Sequence, residues 1–392
     1  MKVKLSMPKI PPNLHLVCAQ PYKDYELALV MKLTFSITAN GDCVPARAQQ
    51  PIIITPDDYE AAKPPLVSAP SWDSDLMAFK AGTDVVVQGH AYSYRQTAQT
   101  VDTELKLAEV SRTVRVHGDR RLDWRSGRPV FSPAEPFEMM PLRFDRAYGG
   151  CDQFYLAKVT DILMRELIKT QPDLHLETAS DSHYPRNPAG RGFLVEMNRE
   201  SSENMLLPNL EFPFDPITPE RLAAGSPGNW MSAPLPATFD WISPAWFPRI
   251  AYLGLTPEHV VPADGIREIS LGWALPSLMR LKSMMKGGWH PTFQHGASPG
   301  LVLRRLQPGT QMLLKNMFPN HPERKIQLSS KVPQAEIAIT ESTKLATECY
   351  LNAVIVQPDQ DQVVEVWSAR AKVTRPYAQN ELDNMNWKIG WK

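Results

Sequence analysis

The stretch Tyr25-Glu26-Leu27-Ala28-Leu29-Val30-Met31-Lys32-Leu33-Thr34-Phe35-Ser36-Ile37-Thr38 decides the fold class. The odd positions are all apolar, and Glu26, Lys32, Thr34 and Ser36 fall on even ones. A period of two over this length is a β-strand with one face toward a core and one toward water. Working outward, residues 84–92 (DVVVQGHAY) read as a second strand. Val110–His117 reads as a third, with Val110, Val114 and Val116 sharing a face and Arg112 the one polar residue on it. Leu105 and Leu107 are out of step with that face, so a bulge is expected at Ala108 and Glu109. Near the other end, residues 335–340 and 349–356 are strand-like, Pro358-Asp359-Gln360-Asp361 has turn chemistry, and residues 363–367 return. Residues 349–367 therefore read as a hairpin, and apolar residues on both faces of both arms place it inside a sheet stack.

Helices interrupt this pattern. Leu156, Val159, Leu163 and Leu167 form one helical stripe over residues 154–169. Residues 266–285 are also helix-like, with Pro276 expected to kink or end them. Between the two, residues 185–248 are rich in Pro, Asn and Trp and weak in periodicity. They read as ordered loop held by Trp230, Trp241 and Trp246, whose rings would sit poorly in water. The expectation is a mainly β protein, packed antiparallel sheets in a sandwich-like arrangement with helical insertions, α+β overall. Along the chain it divides into an N-terminal β-rich region (1–152), a helical insertion with an Asn-Pro turn (153–200) and Pro/Trp-rich loops with a helix (201–300). A C-terminal β region (301–375) and a polar, aromatic tail (376–392) follow, the whole forming one or two compact domains.

Composition narrows the function classes. The chain has 392 residues, 43% of them hydrophobic, enough for a substantial core. Lys plus Arg and Asp plus Glu are both 42, so there is no global basic excess of the kind a dedicated nucleic-acid binder carries. There are 37 prolines against 20 glycines, which implies many stiff, irregular connections. Cys18, Cys43, Cys151 and Cys349 lie far apart without a CxxC pair, which fits reduced thiols better than a disulfide scaffold or zinc knuckle. The first twenty residues lack the apolar core of a signal peptide, and residues 27–37 are broken by Lys32, Thr34 and Ser36. A cytoplasmic protein with no membrane span and no cofactor is expected.

The chemistry-bearing residues are scattered. There is no GxGxxG, P-loop or HExxH signature. His290 and His295, with Asp264 and His321, could contribute to a metal site, but their spacing is that of ordinary loop histidines. His117, Asp119 and Ser111 could in principle form a triad, though His117 reads as the solvent face of its strand. Glu135, Glu138 and Asp145 are close enough in sequence for acid–base work, or are simply loop charges. Arg112, Arg115, Arg120, Arg121, Arg125 and Arg128 form a basic cluster. It could grip an acidic protein surface, or guard a hairpin edge against pairing.

A series of motifs carries a resemblance. Val114-Arg115-Val116-His117-Gly118-Asp119-Arg120 is followed by Pro136-Phe137, Met140-Pro141-Leu142-Arg143-Phe144 and Asp145-Arg146-Ala147-Tyr148-Gly149-Gly150. Then come Arg186-Asn187-Pro188-Ala189-Gly190-Arg191-Gly192-Phe193 and Leu207-Pro208-Asn209-Leu210-Glu211. With residues 80–89 before them and the hairpin ending in Val366-Trp367 after, this order resembles the domain-of-unknown-function 2169 family. The resemblance implies a cytoplasmic type VI secretion adaptor or chaperone, which binds an effector and helps load it onto a spike protein of valine–glycine-repeat or PAAR type. It carries over no catalytic residues, and the residues themselves lead us to expect no metal, nucleic acid or membrane partner. Arg146, Tyr148, Gly149, Gly150, Asn187, Pro188 and Gly190 match the motifs and could serve folding or partner contact. From the residues themselves, Gly149-Gly150 permits positive φ or close backbone approach, and Asn187-Pro188 makes a stiff turn. Trp230, Trp241 and Trp246 are the expected lining of a client groove, or else core anchors. The alternatives are a hydrolase-like enzyme with an unrecognised site, or a structural component of the secretion assembly.

Overall fold

The alternating stretch forms the strand Tyr25–Ile37, second from one edge of the largest sheet. The structure is a computed structural model describing residues 11–21, 23–60, 67–94, 97–166, 181–226, 229–253, 290–304, 306–340 and 343–392. The largest sheet runs Leu14–Ala19, Tyr25–Ile37, Gln362–Val373, Glu348–Gln357, Thr83–Val87, Val302–Leu303, with Cys43–Pro45 also paired to Tyr25–Ile37. Strands from both ends of the sequence are thus neighbours in one sheet. All pairings in it are antiparallel except that of Glu348–Gln357 with Thr83–Val87. A five-stranded antiparallel sheet runs Leu210–Glu211, Val110–His117, Thr100–Leu107, Gln311–Phe318, His321–Gln327. One contiguous apolar cluster contains Leu29, Val86, Ile355 and Val364 of the first sheet and Leu105, Val114, Val116 and Leu314 of the second. The fold is mainly β, in several sheets with few helices, as expected.

Several local expectations change. The even face of Tyr25–Ile37 is not wet: Lys32 and Thr34 are each 1% exposed. Alternation gave the strand correctly, but the polar side chains meet buried partners instead of water. The Lys32 ammonium lies 2.9 Å from Asp75 Oδ2 and 3.8 Å from the centroid of the Trp72 ring. Asp75 also accepts from Ile53 N at 2.7 Å and Trp72 Nε1 at 3.1 Å, which compensates a buried charge that would otherwise cost several kcal/mol, on the order of the effective ionic desolvation penalty.

The expected bulge at Ala108 and Glu109 is a two-residue hairpin turn. Leu107 pairs with Val110, and Ala108 takes φ 49°. The change of face comes from reversal of the chain, not from an extra residue in a strand. Residues 84–92 are two strands, Thr83–Val87 in the large sheet and His90–Tyr92 paired with Met139–Pro141. The hairpin of Glu348–Gln357 and Gln362–Val373 closes through Pro358–Gln360, with Asp361 in the left-handed region at φ 51°. The helix expected at residues 154–169 is present as Gln153–Glu166. The helix-like residues 266–285 lie outside the described residues. The tail packs across the molecule, and its strand Asn386–Trp391 joins Pro333–Ala338 and Lys344–Ala346 in a third sheet. Among the described residues no helix is long and apolar enough to cross a membrane.

Candidate functional site

The sequence motifs converge on a knot of backbone. Tyr148–Gly149 lies parallel to Arg191–Gly192, with Phe193 N donating to Gly149 O at 2.9 Å. Asn187 is fully buried, and its Nδ2 donates to Phe144 O at 2.8 Å and Tyr148 O at 3.0 Å. Its own carbonyl accepts from Gly150 N at 2.8 Å. Gly150 has φ +95°, and a Cβ there would stand 2.5 Å from Gly190 O. A Cβ on Gly190 would meet Asn187 Nδ2 at 2.4 Å. The glycines are therefore set by close backbone approach. Tyr148 is buried and donates to Leu222 O at 2.7 Å, while Pro188 is buried in the turn. Arg146 is half-buried, 3.7 Å from Asp145 and 3.9 Å from Asp119. In this chain these motif residues hold the structure together; only Arg146 and Gly190 retain partial exposure.

The tryptophans are core anchors. Trp230, Trp241 and Trp246 are 3%, 2% and 0% exposed, so their rings do not line an open surface. Yet they back one. A cleft of about 760 Å³ opens beside the knot, its walls drawn from two segments, Phe212 with Phe214 and Leu235 with Pro236. Its floor includes Phe144, Ile242 and Phe247. Trp246 meets Phe144 edge-on at 5.4 Å, and Trp230 meets Phe247 at 5.2 Å, so both floor rings are seated on buried tryptophan. Asp215 ties the two walls: its backbone N donates to Phe212 O at 2.9 Å, and its Oδ2 accepts from Leu235 N at 2.8 Å.

The walls follow from local sequence. Glu211 is the last residue paired with Val110–His117, opposite Arg115. Pro213 has no N–H and cannot extend the ladder, so the chain turns away at Phe212. Phe212 and Phe214 then stack at 5.0 Å with an interplanar angle of 14°, leaving Phe214 76% exposed. Two arginines flank the cleft. Arg112 donates to Thr238 O and Pro299 O, with its guanidinium 5.4 Å from the Phe212 centroid. Burial pulls it down to about 10, and no carboxylate among the described residues offsets this. Arg186 lies over Trp230 and Phe247 at 5.1 and 5.8 Å, donating to Tyr184 Oη and Met231 O.

Sequence reading missed Phe212 and Phe214. The signal was present in Glu211-Phe212-Pro213-Phe214-Asp215, where aromatic residues flank a strand-ending proline.

The other candidates do not assemble. His117 Nε2 lies 2.9 Å from Glu211 Oε1, and Nδ1 lies 3.0 Å from Thr100 Oγ1. Ser111 is six positions along the same strand, roughly 20 Å away, so the triad is excluded by strand rise. His295 Nδ1 meets Asp84 Oδ1 at 2.7 Å, and Lys80 meets the other oxygen at 2.6 Å. This buried cluster fixes the loop, with Gly296 N also donating to Asp84 at 2.9 Å. His290 instead stacks on Tyr252 at 4.7 Å. Asp264 lies outside the described residues, and among those described no three His, Cys, Asp or Glu side chains gather as a metal set. Asp145 is held bidentately by Arg143 at 2.9 Å, while Glu135 and Glu138 are exposed. The arginine cluster is dispersed. Arg115 forks onto Asp102, Arg120 and Arg121 donate to the carbonyls of Pro208 and Asn204, and Arg125 and Arg128 face each other across a small hairpin.

No curated protein and no solved structure matches this chain. One family model does, over residues 23–368, a span that contains the knot, both cleft walls and most of the closing hairpin. The chain belongs to the DUF2169 family, described as uncharacterized proteins conserved in bacteria.

Proposed function

We propose that this protein is a non-catalytic holder of another polypeptide. It is an adaptor that binds a type VI secretion effector in the cytoplasm and helps load it onto a spike protein of the valine–glycine-repeat or PAAR type. The observation that carries this reading is the cleft. It is open, mostly aromatic and aliphatic, and built on a β platform whose floor is braced by buried tryptophan. Contiguous apolar surface left exposed on a folded chain is characteristic of a binding face. Here Phe214 at 76% and Leu235 at 38% exposure both line it. The order of motifs that resembles secretion adaptors supports the choice of client.

The test is co-purification of the full chain with the protein encoded beside its gene, with no spike protein present. The expected result is a stable pair. Failure with every neighbouring gene product, under conditions where the chain is folded, overturns the adaptor reading.

A further inference from the structure

The strand Val110–His117 is only partly paired on its outer edge. On its inner side it pairs with Thr100–Leu107 over its whole length. On its outer side the paired strand covers Val116 and Arg115, opposite Leu210 and Glu211. His117 N points outward, donating to Asn209 O at 2.8 Å. Because backbone direction alternates along a strand, the N–H and C=O groups of Thr113 and Ser111 point outward as well. No backbone partner meets them among the described residues. Pro213 is the reason: the Leu210–Glu211 strand cannot continue opposite Thr113 and turns off into the cleft wall. The residues Val110 to Thr113 themselves line the cleft, so the open ladder positions and the apolar walls form one surface.

We propose that this surface takes an extended segment of a client polypeptide as an added strand beside Ser111 and Thr113, its apolar side chains against Phe212 and Phe214 and a client carboxylate on Arg112. Main-chain hydrogen bonds supply a sequence-tolerant grip, and the walls supply selection for alternate apolar positions. Arg112 supplies the charge preference. It donates only to carbonyls, it is flanked by the similarly unpaired Arg186, and the described residues bring no carboxylate to either. An Asp or Glu on the client completes a half-buried cation that the described residues leave without a counter-charge. The inference deepens the holder reading by naming the kind of segment held.

The test begins with selection of short random peptides displayed against the full-length protein. The selected peptides are expected to alternate apolar and polar residues and to be enriched in Asp and Glu. Changing the selected acid to its amide should weaken binding by about tenfold, as loss of a charge-assisted contact does. Amide hydrogen exchange should slow at Ser111 and Thr113 when peptide is bound. Thr113→Pro removes an amide that bonds nothing among the described residues and should abolish binding, while Thr113→Val retains it. Phe214→Asp, at an exposed position, should also abolish it. No enriched peptide, peptides indifferent to the acid, or unchanged exchange at Ser111 and Thr113 overturns the proposal. The two readings fail separately. Full-length partner capture that survives both Thr113→Pro and Phe214→Asp leaves an adaptor without this groove. Peptide capture without any neighbouring gene product leaves a groove without the adaptor role.

Discussion

Glu365 gives the sharpest quantitative prediction. It sits in the strand Gln362–Val373, 1% exposed, between Leu33 and Val354 on the neighbouring strands. Its Oε2 accepts from Trp367 Nε1 at 2.9 Å, and no cation among the described residues pairs with it. Burial therefore pushes its carboxyl from the ordinary 4.5 up to about 7. The unfolded chain releases this proton at ordinary carboxylate pH, whereas the folded chain keeps it to about 7. Between those values the native state binds more protons, so stability falls as pH rises through the window and levels off above it. At 1.36 kcal/mol for each pH unit, the fall from this group is about 3 kcal/mol. Glu365→Gln keeps a neutral acceptor for Trp367 without the titration. Urea unfolding at about pH 5 and about pH 8 should show the free-energy gap between variant and wild type moving by roughly 2–3 kcal/mol in the variant's favour at the higher pH. Parallel pH profiles would refute the reasoning, because they would mean that Glu365 titrates alike in both states.

Further predictions concern the knot, the buried ion pair and the cleft. Asn187→Ala leaves Tyr148 O without its donor and takes one of two from Phe144 O, so chemical denaturation should show a loss of about 3 kcal/mol. Lys32→Met alone strands the buried Asp75 carboxylate and should cost about 3–5 kcal/mol, while Lys32→Met with Asp75→Leu should recover much of that loss by the same measurement. Trp246→Ala should lower stability by about 3–5 kcal/mol and loosen the cleft floor, whereas Phe214→Ala should change stability by no more than about 0.5 kcal/mol and act on client binding alone. Equal effects of the last two in thermal unfolding would contradict the division between brace and rim.

Much of the architecture was legible because it depends on short-range pattern. Period two in residues 25–37 gives a strand wherever the chain folds, and Pro358-Asp359-Gln360-Asp361 between two apolar runs gives a hairpin. The need for glycine at Gly149 and Gly150 could likewise be anticipated from residue type. What covers each face could not, because it depends on partners remote in sequence: Lys32 is dry only because Trp72 and Asp75 arrive from another segment. The two-residue turn at Ala108 and Glu109 mimicked a bulge, since both shift the apolar register in the same way.

The sequence by itself determined a β-rich chain with a motif-bearing loop region and no concentrated catalytic signature. Tertiary structure alone decided which aromatics face outward. Trp230 and Trp246 are driven beneath the cleft, where their large apolar rings lose the most contact with water, while a proline that cannot join a ladder turns Phe214 out to the rim. It also decided that Arg112, placed by alternation on an apolar face, ends beside an open strand edge, donating to carbonyls, with no carboxylate beside it among the described residues. Local periodicity assigns a residue to a face; the elements packed against that face determine what the residue can do.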